Sequence, residues 1–178
     1  MKEKTHLGNR LLSVLLTFLM LLSLLPSAAL AADTQQIALM AVTQDGFLIK
    51  PEYVTYHSGD TVKDVLKKSG HTFSGIDSGY ITAVDGTTDN FSIHYDEDGY
   101  KLDQSADGLT AIWFTTNSDQ SHGANLQKLA ANMAVYNTAT NGLKDYKAAQ
   151  EAYDAAVKGF YAATDTKAKT LNDALFSA

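Results

Sequence analysis

Gly59-Asp-Thr-Val-Lys-Asp-Val-Leu-Lys-Lys-Ser-Gly70, followed after a short spacer by Gly79-Tyr-Ile-Thr-Ala-Val-Asp-Gly86, is the stretch on which the fold turns. Asp60 or Thr61 can cap a helix by accepting a first-turn backbone N–H. Val62, Val65 and Leu66 recur at i, i+3 and i+4, which puts them on one apolar stripe. Lys63, Lys67 and Lys68 fall outside that stripe, and the last two suit the negative end of the helix dipole. Gly70 supplies the left-handed residue that ends the helix. A helix of roughly 8–10 residues does not hold alone, so it needs a sheet beneath it. Tyr80–Val84 then reads as a strand and Asp85-Gly86 as its turn.

Outward from this stretch the chain is rich in strand signals. Gln36–Thr43 contains Ile37-Ala-Leu-Met-Ala-Val42, an apolar run too brief for a free-standing helix, and reads as a buried strand. Asp45-Gly46 is a hairpin signal leading into Phe47-Leu-Ile-Lys50. Pro51 interrupts this second run and assigns it to an edge or a bulge, and Tyr53, Val54 and Tyr56 resume it. Phe91, Ile93 and Tyr95 alternate with Ser92 and His94, the period of a half-buried strand. Asp98-Gly99 and Asp107-Gly108 are further turns, and Leu109–Thr115 is a strongly β-favouring last strand. Two strands, a helix, then two or three strands predict an α+β fold. It is a mixed sheet with one helix packed across it, in the β-grasp manner.

These residues also resemble a known family. The capped Gly-Asp-Thr-Val-x-Asp-Val-Leu helix, the Gly79-Tyr-Ile-Thr-Ala-Val-Asp-Gly86 stretch and the aromatic strand after it are similar to the transcobalamin-C-terminal-like family. That is a β-grasp family of unknown function, common in exported proteins of Gram-positive bacteria. The resemblance covers about residues 35–116, and its most specific part is Ile81-Thr-Ala-Val-Asp-Gly86. Where family members often carry a Trp-Tyr pair and an Asn-Gly turn, this chain has Phe91-Ser-Ile-His-Tyr95 and Asp98-Gly99. The resemblance implies an exported β-grasp module. No residue here carries over a corrinoid ligand.

The two ends differ from this middle. Lys2, Lys4 and Arg10 precede an apolar run, Leu11–Leu25, broken by Ser13, Thr17 and Ser23. Pro26 and the small-residue site Ala29-Leu30-Ala31 follow, so residues 1–31 read as a secretory signal peptide cleaved after Ala31. The run is shorter than the roughly 20 residues a spanning helix needs, which predicts no membrane span after cleavage. Past residue 31 the chain keeps eleven lysines and nineteen acidic residues, a net charge of −8. It has no basic stripe to neutralise phosphates, so nucleic acid is not an expected partner. With no cysteine, disulfides and thiolate metal sites are excluded, and stability must come from apolar burial.

Polar residues 117–123 read as a linker, and residues 124–178 as a three-helix tail. Leu126, Leu129, Ala130 and Met133 form one stripe before the Asn141-Gly142 break. Tyr146, Ala149, Tyr153, Ala156, Val157 and Phe160 form a second, and Ala168, Leu171, Ala174 and Leu175 a third. The Ala-rich period resembles the helical spacer repeats called FIVAR-like modules. The ending Leu175-Phe-Ser-Ala178 has no polar close, and the natural protein is expected to continue beyond it.

Candidate chemistry is sparse. Asp96-Glu97-Asp98 with Asp103 invites a calcium site, but the spacing lacks the alternate ligands and terminal Glu of a calcium loop, and a solvated hairpin tip is expected instead. His57, His71, His94 and His122 show no i, i+4 pair, so no metal site is expected. No nucleophile elbow, phosphate loop or dinucleotide fingerprint occurs, so no catalytic residue, enzyme activity or cofactor is expected. Tyr53, Tyr56, Tyr80, Tyr95 and Tyr100, with Trp113 and Phe114, are either strand packing or a recognition surface. The expectation is a secreted or cell-surface, non-catalytic binding or adhesion module for a protein or glycan. The alternatives are capture of a cofactor or corrinoid-like molecule between helix and sheet, or an accessory region of a larger surface enzyme.

Overall fold

The apolar run at Ile37 becomes the central strand of a mixed sheet. The computed structural model describes residues 33–95, 101–120, 123–140 and 142–177. The expected signal peptide, the Asp96–Asp98 cluster, the Asp98-Gly99 turn, Tyr100, His122 and Asn141 lie outside them. The main sheet is built from β1 (Thr34–Thr43), β2 (Gly46–His57), β6 (Ser92–His94) and β7 (Ala111–Thr115) in the order β2-β1-β7-β6. β1 runs antiparallel to β2 and parallel to β7, and β6 runs antiparallel to β7. A second, small sheet joins β3 (Phe73–Ser74), β4 (Ala83–Val84) and β5 (Thr87–Thr88). The helices are α1 (Val62–Lys68), α2 (Ala124–Thr138), α3 (Lys147–Phe160) and α4 (Asp165–Ser177). This is the α+β architecture read from the sequence: a mixed sheet crossed by one helix, with a helical tail.

α1 forms where the stripe places it. Thr61 is the N-cap: its hydroxyl accepts from the Asp64 N–H at 3.2 Å, and the Asp64 carboxylate accepts from the Thr61 N–H at 3.0 Å. That capping box satisfies two otherwise orphaned donors. Asp60 does not cap; it accepts from the His57 N–H at 2.7 Å and pairs with Lys68. Val62, Val65 and Leu66 are fully buried against Ile37, Leu39, Ile112 and Phe114. Each such side chain contributes about 1.5–3 kcal/mol by leaving water. Pro51 sits within β2 at the sheet edge, where register shifts let Lys50 and Pro51 together oppose Met40. An edge strand needs no inner N–H at that point, so proline is tolerated.

Three sequence expectations change. The strand expected over Tyr80–Val84 shrinks to Ala83–Val84, because a 3-10 turn at Ile76–Ser78, flanked by left-handed Gly75 and Gly79, takes up the chain before it. The β6 strand is buried on both faces: Ile93 faces α1, while His94 is 1% exposed and stacks on Trp113 at 5.4 Å. In the tail, Tyr146 is 64% exposed because it precedes α3 as its N-cap, off the helical stripe. Ala174 is exposed as well, lying about a third of a turn from the Ala168–Leu175 line.

The second face of the sheet explains the burial of His94. Ala38, Met40 and Val42 of β1 and Ala111 and Trp113 of β7 pack against Leu126, Leu129, Met133, Ala156, Phe160 and Ala168. Residues Thr34–Ala178 form one compact unit. The segment 117–120, read as part of a linker, carries the polar seam of this layer. Trp113 Nε1 donates to Gln120 Oε1 at 3.0 Å, and Gln120 Nε2 donates to the Phe160 carbonyl at 2.7 Å. Asn117 Nδ2 donates to the Tyr161 carbonyl at 2.8 Å, so the open end of α3 is satisfied from the sheet side. At the other end, Asp165 Oδ1 accepts from the Asn125 N–H at 3.0 Å and caps α2 from forty residues away. Among the described residues no helix is long and apolar enough to cross a membrane.

Because sheet and helices share this interior, the chain should unfold in one transition, followed alike by Trp113 fluorescence and helical circular dichroism. Asp165→Ala should move both signals together and cost about 1–2 kcal/mol, the worth of a lost N-cap. Two separate transitions would show that the helices fold apart from the sheet.

Candidate ligand-binding cleft

Among the described residues the space between α1 and the sheet is occupied by core side chains. A cleft of about 760 Å³ opens instead beside α1, near β6. Four segments wall it: the start of α1 through Lys63, the loop Ile76–Ile81, the strand entry Phe91–Ile93 and the turn Lys101–Gln104. Its floor is apolar, from Ile76, Ile81, Phe91, Ile93 and Leu102. Its rim carries Lys63, Asp77, Lys101, Asp103 and Gln104. A neighbouring groove of about 520 Å³ shares Tyr80, Ile81, Phe91 and Ser92 and continues past Thr82, Thr88 and Asn90.

The walls are fixed by backbone bonds. The Val62 N–H donates to the Gln104 carbonyl at 2.9 Å and the Lys63 N–H to the Leu102 carbonyl at 2.8 Å. Two free donors of the first turn of α1 thereby hold the 101–104 turn in place. The opposite wall is a tight loop. Gly75 has φ +84°, and a Cβ there would lie 2.0 Å from the Tyr80 carbonyl oxygen. Only glycine allows the chain to close on itself at that point. The loop leaves Tyr80 78% exposed at the lip of the cleft. Lys63 Nζ stands 2.9 Å and Lys67 Nζ 3.2 Å from Asp77 Oδ1, tying the loop to α1. These bonds, from Lys63 first and then Lys67, hold the Asp77 carboxyl below the usual carboxylate range.

The aromatic residues singled out in the sequence divide sharply. Tyr56 is buried, its Oη 2.8 Å from Gln35 Oε1 and 3.1 Å from the Ala106 carbonyl. Tyr95 is buried and bonds the Lys101 carbonyl at 2.8 Å, and Tyr53 donates to the Ala131 carbonyl at 3.2 Å. Trp113 and Phe114 are core residues. Tyr80 alone among the described members of that set stands in water beside a cleft.

The described histidines do not converge. His57 is exposed, and His94 is buried against Trp113. His71 bridges two carboxylates, Nδ1 to Asp85 at 2.7 Å and Nε2 to Glu52 at 3.1 Å, and so fastens the small sheet to β2. Burial pushes the Asp85 carboxyl up, but the Thr72 N–H and His71 outweigh it and hold it below the usual range. Among the described residues no group of three or more His, Asp or Glu is placed to hold a metal ion. Asp103 lines the cleft; its expected companions at 96–98 lie outside the described residues. Lys63, Asp77, Phe91 and Gln104 were not legible as site residues, because four separate segments bring them together. The one local signal was the Gly75-to-Gly79 bracket set directly before Tyr80.

A carboxyl lowered by the fold steadies the folded state above the ordinary carboxylate range, and that support fades as pH falls through the lowered value. Tyr80 ring and loop-amide signals should therefore be unchanged from pH 7 to 5 and broaden below about pH 4. Asp77→Asn should broaden them at every pH; signals indifferent to both changes would show that the ion pair does not fix the loop. No protein-family model matches the chain and no curated protein matches it, so no relative assigns the cleft a ligand.

Proposed function

We propose that this chain is an exported, non-catalytic recognition module of the bacterial surface or surroundings, and that it binds its ligand at the cleft beside Tyr80. The observation that carries this is the exposed Tyr80 ring on a loop whose glycine cannot be replaced without a clash, above an apolar floor with a polar rim. A large aromatic in water contributes nothing to folding, but it supplies rigid contact area at low entropic cost to a partner. The basic, apolar and small-residue order of residues 1–31 supports export. The resemblance of residues 35–116 to the transcobalamin-C-terminal-like family supports the same setting. Partner and mode are thus those of a protein or glycan binder, with the cleft as the contact.

The volume of the cleft favours a second reading, capture of a compact small molecule, since about 760 Å³ lies within the range of small-ligand sites. Its lining by one tyrosine and by charged rim residues, on the open side of α1, makes the first reading the better one.

The labelled chain should be retained on intact Gram-positive cells, and Tyr80→Ala should reduce retention by roughly tenfold or more with an unchanged melting temperature. The surface polymer should remain uncut. Equal retention by the variant, or release of polymer fragments, would overturn recognition at this cleft. Retention of free cobalamin with none on cells would favour small-molecule capture.

A further inference from the structure

We propose that the cleft takes an uncharged oligosaccharide. This rests on the recognition function above and adds the chemical class of the ligand.

Among the described residues the rim of the main cleft is balanced in charge, and the adjoining groove adds the single carboxylate of Asp89. Lys63 and Lys101 stand against Asp77 and Asp103, and Lys63 is already engaged by Asp77 at 2.9 Å. A phosphate or an acidic sugar would meet no surplus of positive charge among these residues, and stripping water from its charge would go uncompensated. A neutral polyol has no such charge to match. Its hydroxyls donate to carboxylate and amide oxygens and accept from ammonium groups, all of which the rim supplies.

The aromatic geometry fits the same ligand. The axial C–H groups of a pyranose present an apolar face, and an exposed phenol ring gives that face a flat partner. Tyr80 has such a ring at the lip, with half-buried Phe91 behind it on the floor. The site is also elongated. The main cleft and the groove of about 520 Å³ meet at Tyr80 and Phe91, and the groove is lined with Thr82, Thr88 and Asn90, whose hydroxyls and amide suit further sugar hydroxyls. The arrangement suits linked rings better than a single compact molecule.

A peptide is the less favoured occupant. The strand next to the cleft, β6, is three residues long, Ser92–His94. Strand addition depends on a run of main-chain bonds, and this edge offers too few.

A printed array of neutral and acidic glycans, probed with the purified chain, tests the class. Neutral glycans should retain it, Tyr80→Phe should keep binding within about threefold, and Tyr80→Ala should lose roughly tenfold or more. Addition of the best neutral tetrasaccharide should shift the amide signals of Tyr80, Ile81, Ser92 and Asp103. No neutral glycan retained, acidic glycans alone retained, or equal binding by Tyr80→Ala would each overturn the proposal. Perturbation of the same amides by an unstructured octapeptide but by no glycan would overturn the sugar class while leaving recognition at the cleft intact. Failure of both, with unchanged cell retention by Tyr80→Ala, would overturn recognition at the cleft itself.

Discussion

Burial of β1 on both faces is the constraint on which the rest of the structure depends. Ile37, Leu39 and Ala41 point toward α1, while Ala38, Met40 and Val42 point toward the three helices. A strand buried on both sides must be covered twice, which is why its sequence is a continuous apolar run and not an alternation. The cover on one side is a seven-residue helix that could not stand alone. On the other it is a helical layer whose ends are closed by Gln120, Asn117 and Asp165. The parallel pairing of β1 with β7 fixes both covers at once, because Ile112 and Phe114 face α1 while Ala111 and Trp113 face the helices.

Much of this was legible where the signal is local. The spacing of Val62, Val65 and Leu66 gave the orientation of α1, and the Asp45-Gly46 and Asp85-Gly86 pairs gave two hairpins. Asp85 and Gly86 both take positive φ, as a two-residue turn of this kind requires. What failed to show in the sequence is long-range. Nothing near His94 announces that α2, α3 and α4 will cover its face, so an alternation of Ile93 with His94 looked like half-burial. The strand expected from Tyr80 was shortened by backbone geometry at Gly75 and Gly79, which propensity does not weigh. The cleft was invisible for the same reason: its floor comes from Ile76, Phe91, Ile93 and Leu102, on separate turns and strand ends.

The polar side chains do different work on the two sides of the sheet. Behind it, Gln120 and Asn117 are consumed in closing helix ends, and little is left to address a partner. In front, α1 spends its first backbone donors on the 101–104 turn and its lysines on Asp77. The cleft walls are thereby held by the chain's own bonds, and a ligand of the kind proposed would not need to order them.

The loop from Gly75 to Tyr80 owes its shape to the main chain, with a glycine pressed against a carbonyl and a second glycine in the left-handed region. Ser78 Oγ adds one bond to the Gly75 carbonyl at 2.8 Å, whereas the exposed Tyr80 ring does little to hold the loop. Architecture and vocabulary are therefore written in different residues. On the recognition role proposed above, descendants of this chain could exchange the aromatic for another group and address a new partner while the scaffold stays as it is.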